Sequence, residues 1–235
     1  MVKSPCLSLQ NISIFSPVLS ILVFLLFPFN WKQKLKWTIF ILAISSIGVD
    51  VICKYFAVKS IPTIWFINIF TFIEAQILFL FFYLLFFENK KIRKLLIYFA
   101  SAFLVVWVSR NLVFKNINNY DYLSQALEFI FLLFLCLLYF FQKTKVTDTI
   151  FIYNYYEFWI VSALLMYCAG TLFSFFTPMN PNENNLDTQL FEKITRYSSI
   201  LKNLLMSIAF CVNNKPSSNN LINPNSIYYM NDLKD

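Results

Sequence analysis

The sequence predicts an all-α fold, a polytopic bundle of seven transmembrane helices running N-out and C-in. Three observations carry that reading. The 235 residues are 59% hydrophobic with a mean hydropathy of +0.62. Only 13% are charged, where a water-soluble domain carries roughly 25% to face its solvent. Apolar runs also recur along the whole chain at close to the ~20 residues that a helix needs to cross the hydrocarbon layer.

Those runs fall at residues 12–29, 38–57, 63–87, 92–113, 120–141, 150–177 and 195–213. The first contains Pro17 and Pro28, each near an end, where neighbouring groups can satisfy the freed backbone. The second to the sixth are dense in Phe, Leu and Ile. The last is short and polar, so six spans is the alternative count. Trp31, Trp37 and Trp65 lie near expected boundaries, where amphipathic rings settle at the headgroup level.

Lys and Arg in the short loops set the orientation. N-out places Lys32, Lys34, Lys36, Lys90, Lys91, Arg93, Lys94, Lys143, Lys145, Lys215 and Lys234 inside, against Lys3, Lys59, Arg110, Lys115, Lys193 and Arg196 outside. The net charge of +7 therefore records topology. The inner basic loops are expected to sit against anionic headgroups of the bilayer. Nucleic acid is not an expected partner, because no soluble domain exists to hold it. Three regions follow: a short outer N-terminus at 1–11, the bundle at 12–213 and a flexible cytoplasmic tail at 214–235. The tail and the outer loop at 178–194 are too polar to build a core. No cleavable leader is expected, since positive charge does not cluster before the first apolar run.

Histidine is absent, which excludes Ser-His and Cys-His nucleophiles and His-ligated zinc. The five cysteines (Cys6, Cys53, Cys136, Cys168, Cys211) are far apart with no CxxC pair, so no metal, cofactor or disulfide frame is expected.

The informative residues are the polar ones inside apolar stretches. A charge at a helix centre costs about 2.5–3.5 kcal/mol on insertion scales and so marks a partner or a use. Ser46, Asp50 and Lys54 recur at one-turn spacing on the second span, with the acid four residues ahead of the base, which fits a structural ion pair Asp50–Lys54. Asn68, Thr71 and Glu74 share a face of the third span, Ser124, Gln125 and Glu128 cluster on the fifth, and Ser199, Lys202, Asn203 and Ser207 form a stripe on the seventh. Glu74, Glu128, Lys202, Asn203 and Asn68 are the expected ligand-binding or proton-responsive residues. In the sharp form of that reading Glu74 pairs with Lys202 while Glu128 keeps its proton at neutral pH, because two close carboxylates resist ionising together. In the bland form these groups are interhelical hydrogen-bonding glue, worth about 0.6 kcal/mol each. Glu157 lies nearer the inner interface.

One internal similarity spans the third and fifth stretches. Glu74 precedes Phe86-Phe87-Glu88-Asn89-Lys90-Lys91 as Glu128 precedes Phe140-Phe141-Gln142-Lys143-Thr144-Lys145. A parallel repeat would produce it. So would coincidence in Phe- and Leu-rich sequence, which the composition favours.

Four function classes compete for such a chain. A retinal protein would share the outline of seven spans with a lysine in the last, but the place one turn before Lys202 is Ser198, not Asp, and the sixth span lacks a Trp-Pro signature. Intramembrane hydrolysis by paired carboxyls needs the GxGD context, and the only glycines are Gly48 and Gly170. A large alternating-access carrier needs spans broken at mid-membrane; small proton or ion movement needs less and is the runner-up. The leading expectation is a non-enzymatic sensory or interaction module with a buried polar site and a membrane signalling partner.

The runs Phe70-Thr71-Phe72-Ile73-Glu74, Phe158-Trp159-Ile160 with Tyr167 and Gly170, and Lys202-Asn203-Leu204-Leu205 resemble uncharacterised seven-span integral membrane proteins of Bacteroidetes-type bacteria. The resemblance implies a bacterial inner-membrane location, interior positions for Glu74 and Asn203, and a role connected with signalling. Where those proteins carry His ahead of a Ser-rich turn in the last span, this chain has Tyr197 and Ser198.

Overall fold

The computed structural model describes residues 5–113, 121–144, 152–175 and 186–212. These form α1 (Pro5–Leu26), α2 (Lys34–Val58), α3 (Ile64–Leu85), α4 (Lys90–Val108), α5 (Tyr122–Thr144), α6 (Tyr156–Phe175) and α7 (Leu186–Cys211), with no strand among the described residues. Five of them, α2 to α6, contain segments long and apolar enough to cross a membrane. The other two are the first and last. In α1 the apolar part is shorter, Phe15–Leu26. In α7 the charges Asp187, Glu192, Lys193, Arg196 and Lys202 dilute the run.

Helix ends follow local chemistry. Pro28 opens a short 3-10 turn, Pro28–Lys32, where its missing N–H costs nothing. Asn89 caps α4, its side chain accepting from the amides of Lys91 and Ile92. A π-helical turn, Ser109–Val113, prolongs α4. The largest departure from expectation is α7, which begins at Leu186 inside what the sequence presents as an outer loop. Hydropathy locates apolar length, and residues 186–193 are helical without being apolar. Residues 178–185 of that loop, the tail at 214–235, and Lys3, Lys115, Lys145, Lys215 and Lys234 lie outside the described residues.

Side-chain pairs give the packing directions. Phe24 of α1 stacks on Phe40 near the start of α2, Phe72 of α3 lies on Trp107 near the end of α4, and Phe140 of α5 meets Phe158 of α6. Each is an antiparallel hairpin. By contrast α1 and α7 run parallel, since Ser13 meets Arg196 while Phe24 meets Phe210. Helices α3 and α5 are parallel too, with Asn68 beside Asp121 and Thr71 beside Gln125. Neighbour contacts run α1–α2–α3–α5–α6–α7 and back to α1, closing a ring, and α4 lies against α3 and α5.

Two ends result. At one, the start of α2 and the ends of α1 and α7 converge on Lys36. At the other, α3, α4 and α5 converge on Asp121.

The tightest seam is α6 against α7. A Cβ at Gly170 would overlap the Ser198 side chain, lying 2.9 Å from its Cβ, so the helices meet there only because Gly170 has none.

Candidate functional site

The interior of the ring holds the acids. Glu128 of α5 is 1% exposed, and its Oε1 has no hydrogen-bond partner. Glu74 of α3, half-buried, and Lys202 of α7, buried, both lie within electrostatic reach of it. Asp50 of α2 also feels Lys202, as well as Lys54 and Arg196. Three carboxyls from three helices thus share the field of one buried ammonium. Fully ionised, they would leave uncompensated negative charge in a medium that cannot solvate it.

Lys202 is held by an aromatic face. Its Nζ lies 4.1 Å from the centroid of the Tyr167 ring on α6, a cation–π contact worth about 0.5–2 kcal/mol according to how dry it is. Tyr167 is itself set edge-on by Phe129, the residue after Glu128. Cys168, fully buried, lies in the same field as Glu74, Glu128 and Lys202. One turn from the acids, Gln125 Nε2 donates to Thr71 Oγ1 at 3.1 Å and fixes α5 against α3. That bond joins residues 54 apart, the offset at which the third and fifth stretches resemble each other.

The structure brings Glu74, Glu128 and Lys202 together around one interior without a contact ion pair between them. It does not join Asp50 to Lys54 in a contact ion pair; Lys54 is exposed and makes none among the described residues. Asn203 turns away from the acids to α1: its Nδ2 donates to Ser16 Oγ at 2.7 Å, and its carbonyl accepts from Ser20 Oγ at 2.8 Å. Ser207 continues that ladder to Ser20 at 3.1 Å. The polar stripe of α7 is therefore divided, with Lys202 facing the ring interior and Asn203 and Ser207 binding α1. Asn68 sits at the Asp121 end, its Oδ1 accepting from the Asp121 amide at 3.4 Å and its carbonyl from Trp107 Nε1 at 3.1 Å.

Two built features escape the sequence reading. Asp121, 3% exposed, accepts from Arg110 Nε at 2.8 Å, Asn111 Nδ2 at 2.9 Å, and the Ser124 hydroxyl and amide at 2.5 and 3.3 Å. It caps α5, and the wide π turn lets the adjacent residues Arg110 and Asn111 both reach it. Burial by itself would push this carboxyl up, but the hydrogen bonds from Ser124, Arg110 and Asn111 outweigh burial and hold it below the usual carboxylate range. The available signal was Asp121-x-x-Ser124 ahead of an apolar run. The second feature is Lys36, 0% exposed. Its Nζ donates to Val212 O at 2.7 Å and Asn30 Oδ1 at 2.8 Å, between the rings of Phe29 and Tyr156. It thereby caps the carbonyl end of α7, where the helix dipole favours a cation. Among loop lysines it had no distinguishing sequence signal.

No cluster of His, Cys, Asp and Glu suited to a metal occurs among the described residues. No protein-family model, curated protein or solved structure matches the chain.

Proposed function

We propose that the chain is a small, non-enzymatic multi-pass protein of a bacterial inner membrane that senses a proton or a small polar ligand at Glu128, Glu74 and Lys202. In this reading α1 and α7 complete a seven-span bundle with the N-terminus outside. The Lys36 end, which also gathers Lys32, Lys34, Lys90, Lys91, Arg93, Lys94 and Lys143, is then the cytoplasmic face.

The observation that carries the reading is the partnerless Glu128 Oε1. A buried polar atom left without a hydrogen bond costs about 1–3 kcal/mol, so its retention in an apolar interior calls for a reason beyond stability. A proton gained or lost at Glu128, or a polar group seated against that oxygen, alters the charge shared with Glu74 and Lys202. Lys202 stands on α7, which packs on both α6 and α1. Any movement of the ammonium is thus transmitted to the end of α7 that Lys36 caps, where a membrane signalling partner would read it.

The test is infrared difference spectroscopy of the full chain in lipid as pH is stepped. The wild type should show a carboxyl protonation signal that disappears in Glu128→Gln and persists in Glu88→Gln. If Glu74→Gln, Glu128→Gln and Lys202→Met combined leave the signal unchanged, the reading fails. Proteoliposome flux separates the runner-up: a sensor moves nothing, whereas proton leakage abolished by Glu128→Gln would make the site part of a transporter.

A further inference from the structure

At the Lys36 end a cavity of about 860 Å³ opens between the ends of α3 and α5 and the starts of α2, α4 and α6. This volume lies in the range of small-molecule sites, roughly 300–1,000 Å³. The cavity is separate from the acid cluster in the ring interior.

Three hydrogen-bond donors stand together on the last turns of α5 and line this cavity: Tyr139, Gln142 and Lys143. Tyr139 is 3% exposed, and its hydroxyl has no hydrogen-bond partner. A phenol so placed offers an unused donor to whatever enters. From the facing α4 come the exposed Lys90 and Lys91.

Two acids also line the cavity. Glu88 is exposed at its mouth. Glu157 is hydrogen-bonded to the Tyr156 side chain and lies in the fields of Lys36 and Tyr139. Against these two acids the lining carries three lysines, Lys90, Lys91 and Lys143. Leu35, Leu84 and Leu85 supply apolar wall.

We propose that this cavity is a binding site for a phosphate group carried on an apolar or small polyol body, with the phosphate oxygens on Tyr139 Oη, Gln142 Nε2 and the Lys143 and Lys90/Lys91 ammoniums. Several convergent donors of mixed type suit an anion with several acceptor oxygens, and charge-assisted bonds to it are the strong ones. The same chemistry reaches the cavity from two sources, the headgroup of an anionic phospholipid or a soluble phosphate ester.

The full chain, purified in a neutral phosphate-free detergent, is titrated with phosphatidylglycerol, with glycerol phosphate and with diacylglycerol, reading bound mass by native mass spectrometry and heat by calorimetry. Binding of phosphatidylglycerol alone assigns the lipid source; binding of glycerol phosphate assigns the soluble one; both support the proposal. Lys143→Met and Tyr139→Phe should each weaken binding about tenfold, the loss of one charge-assisted or buried hydrogen bond. Tyr139→Phe should leave the ligand-free protein as stable as the wild type or more so, because it removes an unsatisfied buried hydroxyl. The proposal is overturned if neither phosphate compound binds, if diacylglycerol binds as well as phosphatidylglycerol, or if both variants bind like the wild type.

Discussion

Asp121 caps the start of α5 and Glu128 lies two turns further along it, yet the two carboxyls live in opposite surroundings. Asp121 accepts from three side chains and a backbone amide, and ties α4 to the start of α5. Glu128, more deeply placed, keeps an oxygen with no partner. A saturated carboxylate stabilises its neighbourhood, because removing it costs each buried donor aimed at it a hydrogen bond. An unsaturated one stabilises nothing by that oxygen, and its removal relieves a cost. The same contrast separates the two buried lysines: Lys36 has two oxygen acceptors and two rings, Lys202 one ring. Burial of a charged residue in this bundle therefore does not by itself tell a clamp from a group left with capacity to spare; the state of its hydrogen bonds does.

The largest expected effect is at the saturated acid. Asp121→Ala should destabilise the protein by about 3 kcal/mol, combining a lost helix cap of about 1 kcal/mol with Asn111 and Ser124 left unsatisfied. Arg110 is one-third exposed and adds little, since water replaces its partner. Glu128→Gln should change stability by under about 1 kcal/mol in either direction. Reversible unfolding in mixed micelles measures both. Equal losses at the two positions would break the comparison.

Between the lysines the gap should be smaller. Lys36→Met removes two charge-assisted hydrogen bonds and leaves the Val212 carbonyl at the end of α7 uncapped, at a cost of about 2 kcal/mol. Lys202→Met loses a single ring contact, worth about 1 kcal/mol, and gains by no longer burying a charge. A Lys202→Met variant less stable than Lys36→Met would show that Lys202 has satisfaction not visible in its contacts.

Acid titration sharpens the contrast further. The Asp121 carboxyl is held below its unfolded value of ~3.9, so its contribution is complete above that pH and is lost as pH falls through the lowered folded value. The wild type should accordingly lose stability on the acid side of pH ~4 more steeply than Asp121→Asn, which has no carboxyl to protonate there. Parallel acid limbs for the two proteins would remove Asp121 as the clamp.

How much of this the sequence discloses depends on what hydropathy measures. Apolar length located α2 to α6, and the cost of a central charge picked out Glu74, Glu128 and Lys202, which the fold gathers around one interior. Transfer cost says nothing about partners. It could not divide Lys202 from Asn203, adjacent on α7 but facing different helices, nor foresee that Asp50 would share the field of Lys202. Residues at helix ends were harder still. Lys36 read as an ordinary loop charge and Asp121, at the very start of the fifth stretch, drew no attention, because their burial comes from elements distant in sequence or from a π turn that no spacing rule announces. The first turns of α7 are helical but polar, and hydropathy registers only the apolar part.

The smallest expected effect concerns the pairing of Glu74 with Lys202. A contact ion pair inside a bundle would show itself in a double-mutant cycle, with either single change costing about 3–5 kcal/mol and the double change close to neutral. The two groups here share a field without touching, and Lys202 Nζ is committed to the face of Tyr167. Glu74→Gln and Lys202→Met should therefore couple by only about 1 kcal/mol, towards the lower end of the roughly 0.5–3 kcal/mol found between residues coupled in one network. Tyr167→Leu supplies the control. With the ring gone, Lys202 has no competing attraction, and the coupling to Glu74 should rise. Coupling that stays at about 1 kcal/mol without Tyr167 would mean that the ring does not hold the two charges apart, and that helix packing alone sets their separation.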